Sequence, residues 1–183
     1  MLRRVVFLLL FLVGFTVMAY AGLPPGRLLP DVPISGAGGK KLDLKKYRGN
    51  ALVVTLIATT CDHCAEVLEV LKKLQVEEGA RGLRIVAAAG DENAAVLVGP
   101  YASQHRLNFP FGYVDRAELM KLANVTPKDR PFVPIMMFVD AKGFVRVQMF
   151  GNDRLLEKPE KIIRDTVREL MKEPGITVTA DKK

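Results

Sequence analysis

The chain has 183 residues with 27 Lys and Arg against 20 Asp and Glu, a formal net charge of +7, and its length is that of a single domain. No block of Lys and Arg exceeds three residues, which excludes a nucleic-acid surface built on a basic patch. Its two cysteines, Cys61 and Cys64, are three positions apart, so a bridge between them closes no long loop and a disulfide-stapled scaffold is excluded as well.

At the N-terminus Arg3 and Arg4 precede an almost continuously apolar stretch, Val5 to Met18, and "AYAG" offers a small-residue cleavage site after Ala21. This is the pattern of a secretory signal peptide over residues 1–21. The apolar run falls short of the roughly 20 residues a spanning helix needs, and "GLPPG" breaks it at once. The expectation is a cleaved signal and a periplasmic or otherwise exported protein, with membrane attachment only if the segment stays uncleaved. Cleavage removes Arg3 and Arg4 and no acid, which leaves 162 residues with a charge of 7 − 2 = +5.

The segment "GRLLPDVPISGAGGKKLDLKKYRGN" predicts a short strand, a Gly-rich turn at Gly36 to Gly39, a second short strand over 41–44 and a turn ending at Gly49. Lys45, Lys46 and Arg48 belong to that solvated turn. "ALVVTLIA" is a β-branched apolar run of the kind buried on both faces of a sheet. From Cys61 to Glu78 the period changes: Cys64, Val67, Leu68, Leu71 and Leu74 recur at helical spacing, and Gly79 supplies a stop. "GLRIVAAAG" predicts the next buried strand, and a parallel crossover therefore joins the two.

Further on, Gly99-Pro100 predicts the start or kink of a helix ending near Arg106, and "FPFGYVD" a short strand that buries Phe111 and Tyr113. "DRAELMKLAN" carries a capping box, Asp115 with Glu118, and an Asn stop. After the loop "VTPKDRPFV", the segments "PIMMFVD" and "FVRVQMF" flank the turn "AKG" as an antiparallel hairpin, with Met136 and Met137 in the core. Pro159 suits the first turn of a last helix reaching about Lys172. The sum is an α/β fold: one domain over 28–173 with a central mixed sheet flanked by helices, an N-terminal short hairpin extension, and a flexible tail over 174–183.

In such a sheet reactive groups gather beyond the C-terminal ends of strands. Cys61 falls there, at the first residue of the helix, with Cys64 one turn in. The free N–H groups of a helix start favour thiolate over thiol at Cys61. Two sulfurs on adjacent turns can bridge and part without the fold moving. This predicts thiol-disulfide exchange, with Cys61 as nucleophile and Cys64 as resolving thiol. A protonated His63 would favour the thiolate further, while Asp62 carries the opposing sign.

"CDHC" between a buried strand and an amphipathic helix, with "FVPIMMFVDAKGFV" downstream, resembles the thioredoxin superfamily. The lead-in "LPDVPISGAGGKKLDLKKYRGNALVV" is similar to the exported TlpA-like and redoxin branch, and the resemblance covers residues 28–153. It implies a thioredoxin fold and exchange with protein thiols and disulfides, served by an upstream redox partner, with no cofactor and as a monomer. It also implies that Pro134 is the family's cis-proline, that Val133 offers its backbone to a bound peptide, and that Pro127 and Pro131 are ordinary loop prolines. Three positions depart from the family pattern. Thr60 stands where a Trp usually precedes the first Cys, Thr55 where thioredoxin buries an acid, and Val67 where some exported reductases place a Glu. Water or a remote group such as Glu66 must then handle the Cys64 proton.

Other readings compete. Cys61, Cys64, His63 and His105 supply four side chains of metal-ligating type, as a copper-delivery protein of this fold would need, but no second CxxC or HxxxH is present; His105 reads as a helix cap. A thiol peroxidase would carry Thr or Ser and Pro where Ala58 and Val54 stand. A non-catalytic binding module is the third alternative.

Overall fold

The computed structural model describes residues 26–129, 131–152, 157–173 and 175–176. The signal segment expected over 1–21, and the tail from 174 apart from Gly175 and Ile176, lie outside the described residues. In chain order the elements are β1 (Arg27–Leu28), β2 (Ile34–Gly36), β3 (Lys41–Leu42), β4 (Ala51–Ile57), α1 (Asp62–Glu78), β5 (Leu83–Ala89), α2 (Ala94–Gln104), β6 (Phe111–Tyr113), α3 (Arg116–Ala123), β7 (Ile135–Val139), β8 (Phe144–Met149) and α4 (Pro159–Leu170). The strands form one mixed sheet in the order β1-β8-β7-β4-β5-β6-β2-β3. At its centre β4, β5 and β6 are parallel, while β7 runs antiparallel to β4 and β8 antiparallel to β7.

The apolar run of β4 is central because both of its faces are covered, and every one of its seven residues is buried. Its side chains alternate between two cores. Ala51, Val53 and Ile57 pack with Val67, Leu68, Leu71 and Leu74 of α1, Val98 and Tyr101 of α2, and Ile163, Val167 and Leu170 of α4. Leu52, Val54 and Leu56 pack on the opposite side with Leu122 and Ala123 of α3 and with Leu29, Val32, Ile34 and Leu44 of the lead-in. Met136 and Met137, adjacent on β7, fall one in each core and are both fully buried. This arrangement is the thioredoxin fold that the sequence resemblance implied.

Three local features differ from the sequence expectation. The lead-in holds two separate short strands before its turn, and they go to opposite sides of the sheet: β1 pairs with β8, and β2 pairs with β6 and with β3. Strands of two or three residues carry too little alternation to be told apart in sequence. Helix α1 does stop at Gly79, but that residue keeps helical angles. A 3-10 turn carries the chain on to Gly82, whose φ of 98° makes the actual reversal. Helix α2 begins before Pro100 and runs through it, its Ala94, Val98 and Tyr101 stripe holding it against the core. The capping box of α3 forms as read, with Asp115 Oδ1 accepting from the Glu118 N–H at 2.7 Å and Glu118 Oε2 from the Asp115 N–H at 2.9 Å.

Candidate active site

β4 ends at Ile57, and Ala58, Thr59 and Thr60 carry the chain over the end of the sheet to Cys61. Cys61 is the N-cap of α1, one position further out than the sequence suggested, because its extended backbone (φ −103°, ψ 109°) precedes the first helical residue, Asp62. The displacement has a chemical effect. As N-cap, the Cys61 Sγ itself accepts the Cys64 N–H at 3.2 Å, so a helix donor points straight at the sulfur on which negative charge develops.

The two cysteines form a disulfide with Cα atoms 5.2 Å apart. Their surroundings are unequal. Cys64 is fully buried in the core under α1, whereas Cys61 is half-buried at its rim. Asp62 and His63, between them, are exposed, and His63 Nδ1 lies 3.6 Å from Glu66 Oε2 on the outer face of the helix.

Across from the pair the Val133–Pro134 peptide is cis. Pro134 is buried at the entrance to β7, and the Val133 carbonyl oxygen stands 4.0 Å from Cys61 Sγ. Phe132, next to it, is 61% exposed. The chain leaving β8 presses on this loop: the Gly151 N–H donates to the Phe132 carbonyl at 2.9 Å, and a Cβ on Gly151 would stand 2.2 Å from the Val133 oxygen. Only a residue without a side chain fits there. Neither Gly151 nor Phe132 emerged from the sequence reading; their relevance depends on β8 lying beside β7.

His105 is far from this chemistry in its contacts. It caps the C-terminus of α2 and stacks on Tyr101 with ring centroids 4.2 Å apart. Among the described residues no three His, Cys, Asp or Glu side chains converge as a metal site would require, so the four residues counted as metal-ligating types are not brought together. Thr55 lies on the α1 side of β4 by strand alternation, fully buried, and its hydroxyl oxygen finds no hydrogen-bond partner among the described residues.

A redox-type cysteine pair at a strand-to-helix turn, a facing cis-proline and this sheet order together narrow the choice of relatives. Residues 25–148 match the AhpC/TSA family. The chain belongs to that family. A thiol-disulfide oxidoreductase, ResA, of Bacillus thuringiensis subsp. konkukian is 25% identical over 173 residues, 90% of this chain and 95% of that protein. The solution structure of a thioredoxin-like protein from Porphyromonas gingivalis matches 80% of this chain and 93% of its own, with a TM-score of 0.63 at 24% identity. The crystal structure of a thioredoxin-family thiol:disulfide interchange protein from Chlorobium tepidum TLS covers 77% of this chain and 97% of its own, with a TM-score of 0.58 at 19% identity.

Within the AhpC/TSA family this chain keeps a second thiol one helical turn from the first, and its Ala58 and Val54 lack the hydroxyl and ring that the peroxidase pattern places there. Among the described residues no helix is long and apolar enough to cross a membrane.

Proposed function

We propose that Cys61 and Cys64 exchange disulfides with protein partners, Cys61 as the attacking thiol and Cys64 as the resolving one. The protein is a thiol-disulfide oxidoreductase, and the observation that carries the division of labour is the unequal burial of a bonded CxxC pair. A nucleophile must be reached by a partner sulfur, and Cys61 is the accessible member. A resolving thiol must be shielded from solvent oxidants and partners until the mixed disulfide forms, and Cys64 is fully buried.

In the reducing direction the Cys61 thiolate attacks a partner disulfide, forming one S–S bond and releasing one partner thiolate. The Cys64 thiolate then attacks Cys61 Sγ, which forms the intramolecular disulfide and releases the second partner thiolate. Two electrons have passed from this protein to its partner; the reverse sequence oxidises a partner dithiol. The Cys64 N–H at Cys61 Sγ and the start of α1 favour the thiolate in both directions. In this reading the Val133 backbone pairs with a bound polypeptide and Phe132 covers its apolar side chains, a role supported by the Val133 carbonyl lying 4.0 Å from Cys61 Sγ and by the exposure of Phe132. Asp62 and His63, exposed between the two cysteines in the chain, tune the pair in this reading. The reading is completed by an exported location, given by the N-terminal segment, by a monomeric state, and by an upstream redox partner that restores the starting form.

The test is reduction of insulin disulfides by dithiothreitol-recycled protein together with a redox titration against glutathione. Wild-type protein is expected to accelerate insulin reduction and to titrate as a single two-electron couple. Full activity in Cys61→Ser would overturn the mechanism.

A further inference from the structure

We propose that Asp91 is a positioning residue for the Cys61 nucleophile, acting through Thr59; the inference rests on the exchange chemistry proposed above. Asp91 follows β5, at the same end of the sheet as the cysteines, and its carboxylate takes two hydrogen bonds from one residue. Oδ1 accepts the Thr59 backbone N–H at 2.9 Å and Oδ2 the Thr59 hydroxyl at 2.7 Å. Hydrogen bonds to an ionised acceptor are the strong ones, and two on one residue hold it against rotation as well as translation.

Thr59 is two residues from Cys61, so the clamp acts within about 8 Å of the sulfur-bearing residue by chain length alone. Backbone bonds also hold this turn, from the Gly90 N–H to the Ile57 carbonyl at 3.0 Å and from the Cys61 N–H to the Ala58 carbonyl at 3.2 Å, while the Cys61 carbonyl accepts from the Cys64 N–H at 3.1 Å and the Ala65 N–H at 3.3 Å. In the disulfide form Cys61 is also tied covalently to buried Cys64. Once that bond opens, Asp91 is the side chain that ties Thr59, and with it the approach to Cys61, to the end of β5, alongside the bond from the Cys64 N–H to Cys61 Sγ. The clamp therefore contributes most in the dithiol and mixed-disulfide states, the states that react.

Removing Asp91 also removes a charge, which by itself favours the thiolate. Asp91→Asn removes the same charge while keeping one oxygen acceptor for the Thr59 N–H, so the comparison of Asp91→Ala with Asp91→Asn isolates the clamp. The experiment measures the second-order rate of the reduced protein with oxidised glutathione, divided by the thiolate fraction from a pH-rate profile, and the reduction potential of each variant. Expected is an Asp91→Ala rate about tenfold below that of Asp91→Asn, the size of effect that loose positioning produces, with a more negative potential because the reduced form loses more. Thr59→Val, which keeps the charge and nearly the shape, is expected to slow the reaction by a smaller factor and stands in if Asp91→Ala does not fold. Equal rates and potentials for Asp91→Ala and Asp91→Asn, or a wild-type rate in Thr59→Val, would overturn the proposal. Failure of the underlying exchange reading shows separately, as undiminished reaction in Cys61→Ser.

Discussion

Cys64 is fully buried and Cys61 only partly so, and the chemistry divides along that difference. With Cys64 replaced by Ser, Cys61 can still attack, but nothing displaces the partner. Reduced Cys64→Ser is therefore expected to attack a disulfide of intact insulin and accumulate a mixed disulfide with it, releasing one insulin thiolate, detected as an adduct by intact mass spectrometry that dithiothreitol releases. No adduct with Cys64→Ser, or an equal yield with Cys61→Ser, would remove the distinction between nucleophile and resolver. The pair was legible in the sequence because its two tests are local: a spacing of three and a switch from strand to helix period within the same few residues. What escaped was the N-cap position of Cys61, a matter of one residue that only the backbone angles decide. The partnership of Thr59 with Asp91 escaped too, because it joins residues 32 positions apart and depends on the register that sets Ile57 beside Ala89, which a predicted crossover does not give.

At the scale of elements, two contacts link the working parts to their supports. The strand β8 reaches the cis-proline loop through Gly151, whose missing side chain leaves room for the Val133 carbonyl. Gly151→Ala is expected to push that loop aside, costing about 1–3 kcal/mol of stability as overpacking does and lowering kcat/KM for insulin reduction by about tenfold or more. A variant with unchanged kinetics would show that Val133 is not part of the docking surface.

The second contact joins α1 to α4. Arg164 donates to both Glu77 carboxylate oxygens, with the Nη2 to Oε1 bond at 3.0 Å, and to Glu160 at 3.0 Å. The Arg164 guanidinium holds the Glu77 carboxyl below its usual value of 4.5. Because the folded-state value is depressed, the contribution of Glu77 is fully present above 4.5 and is lost as pH falls through the lower, folded value. The pair is exposed, so salt screens it and its effect is small. Thermal melts at low ionic strength should show wild type losing more Tm than Glu77→Gln between pH 5 and pH 3, and parallel curves would rule the contact out as an acid-sensitive tie. The helices themselves were plain in the sequence, since each carries an apolar stripe over several turns; this cross-helix pair was not, since helical periodicity says nothing about which exposed residues meet.

For the whole molecule, the order of buried runs along the chain was enough to predict a mixed sheet with helices on its faces, because each long apolar run can be buried in few other ways. The lead-in was the exception. Its strands β1, β2 and β3 are two or three residues long, and nothing in so short a pattern tells a chain which neighbour it will join. Their placement matters beyond the site, for the outermost strands of this eight-stranded sheet are β1 on one side and β3 on the other. Both ends of the ladder thus come from one stretch of sixteen residues, Arg27 to Leu42, which crosses behind the sheet by burying Leu29 and Val32.

Strands that short offer an incoming chain almost no ladder to extend, so the sheet stops at both sides. Without the stretch, β8 and β6 would become open borders with unpaired backbone groups, and self-association would compete with folding. A chain beginning at Asn50 is expected to scatter light as large assemblies at concentrations where the full chain stays disperse, and a disperse truncated monomer would contradict this. The segment ahead of the active-site strand thus serves the protein as a guard against its own copies.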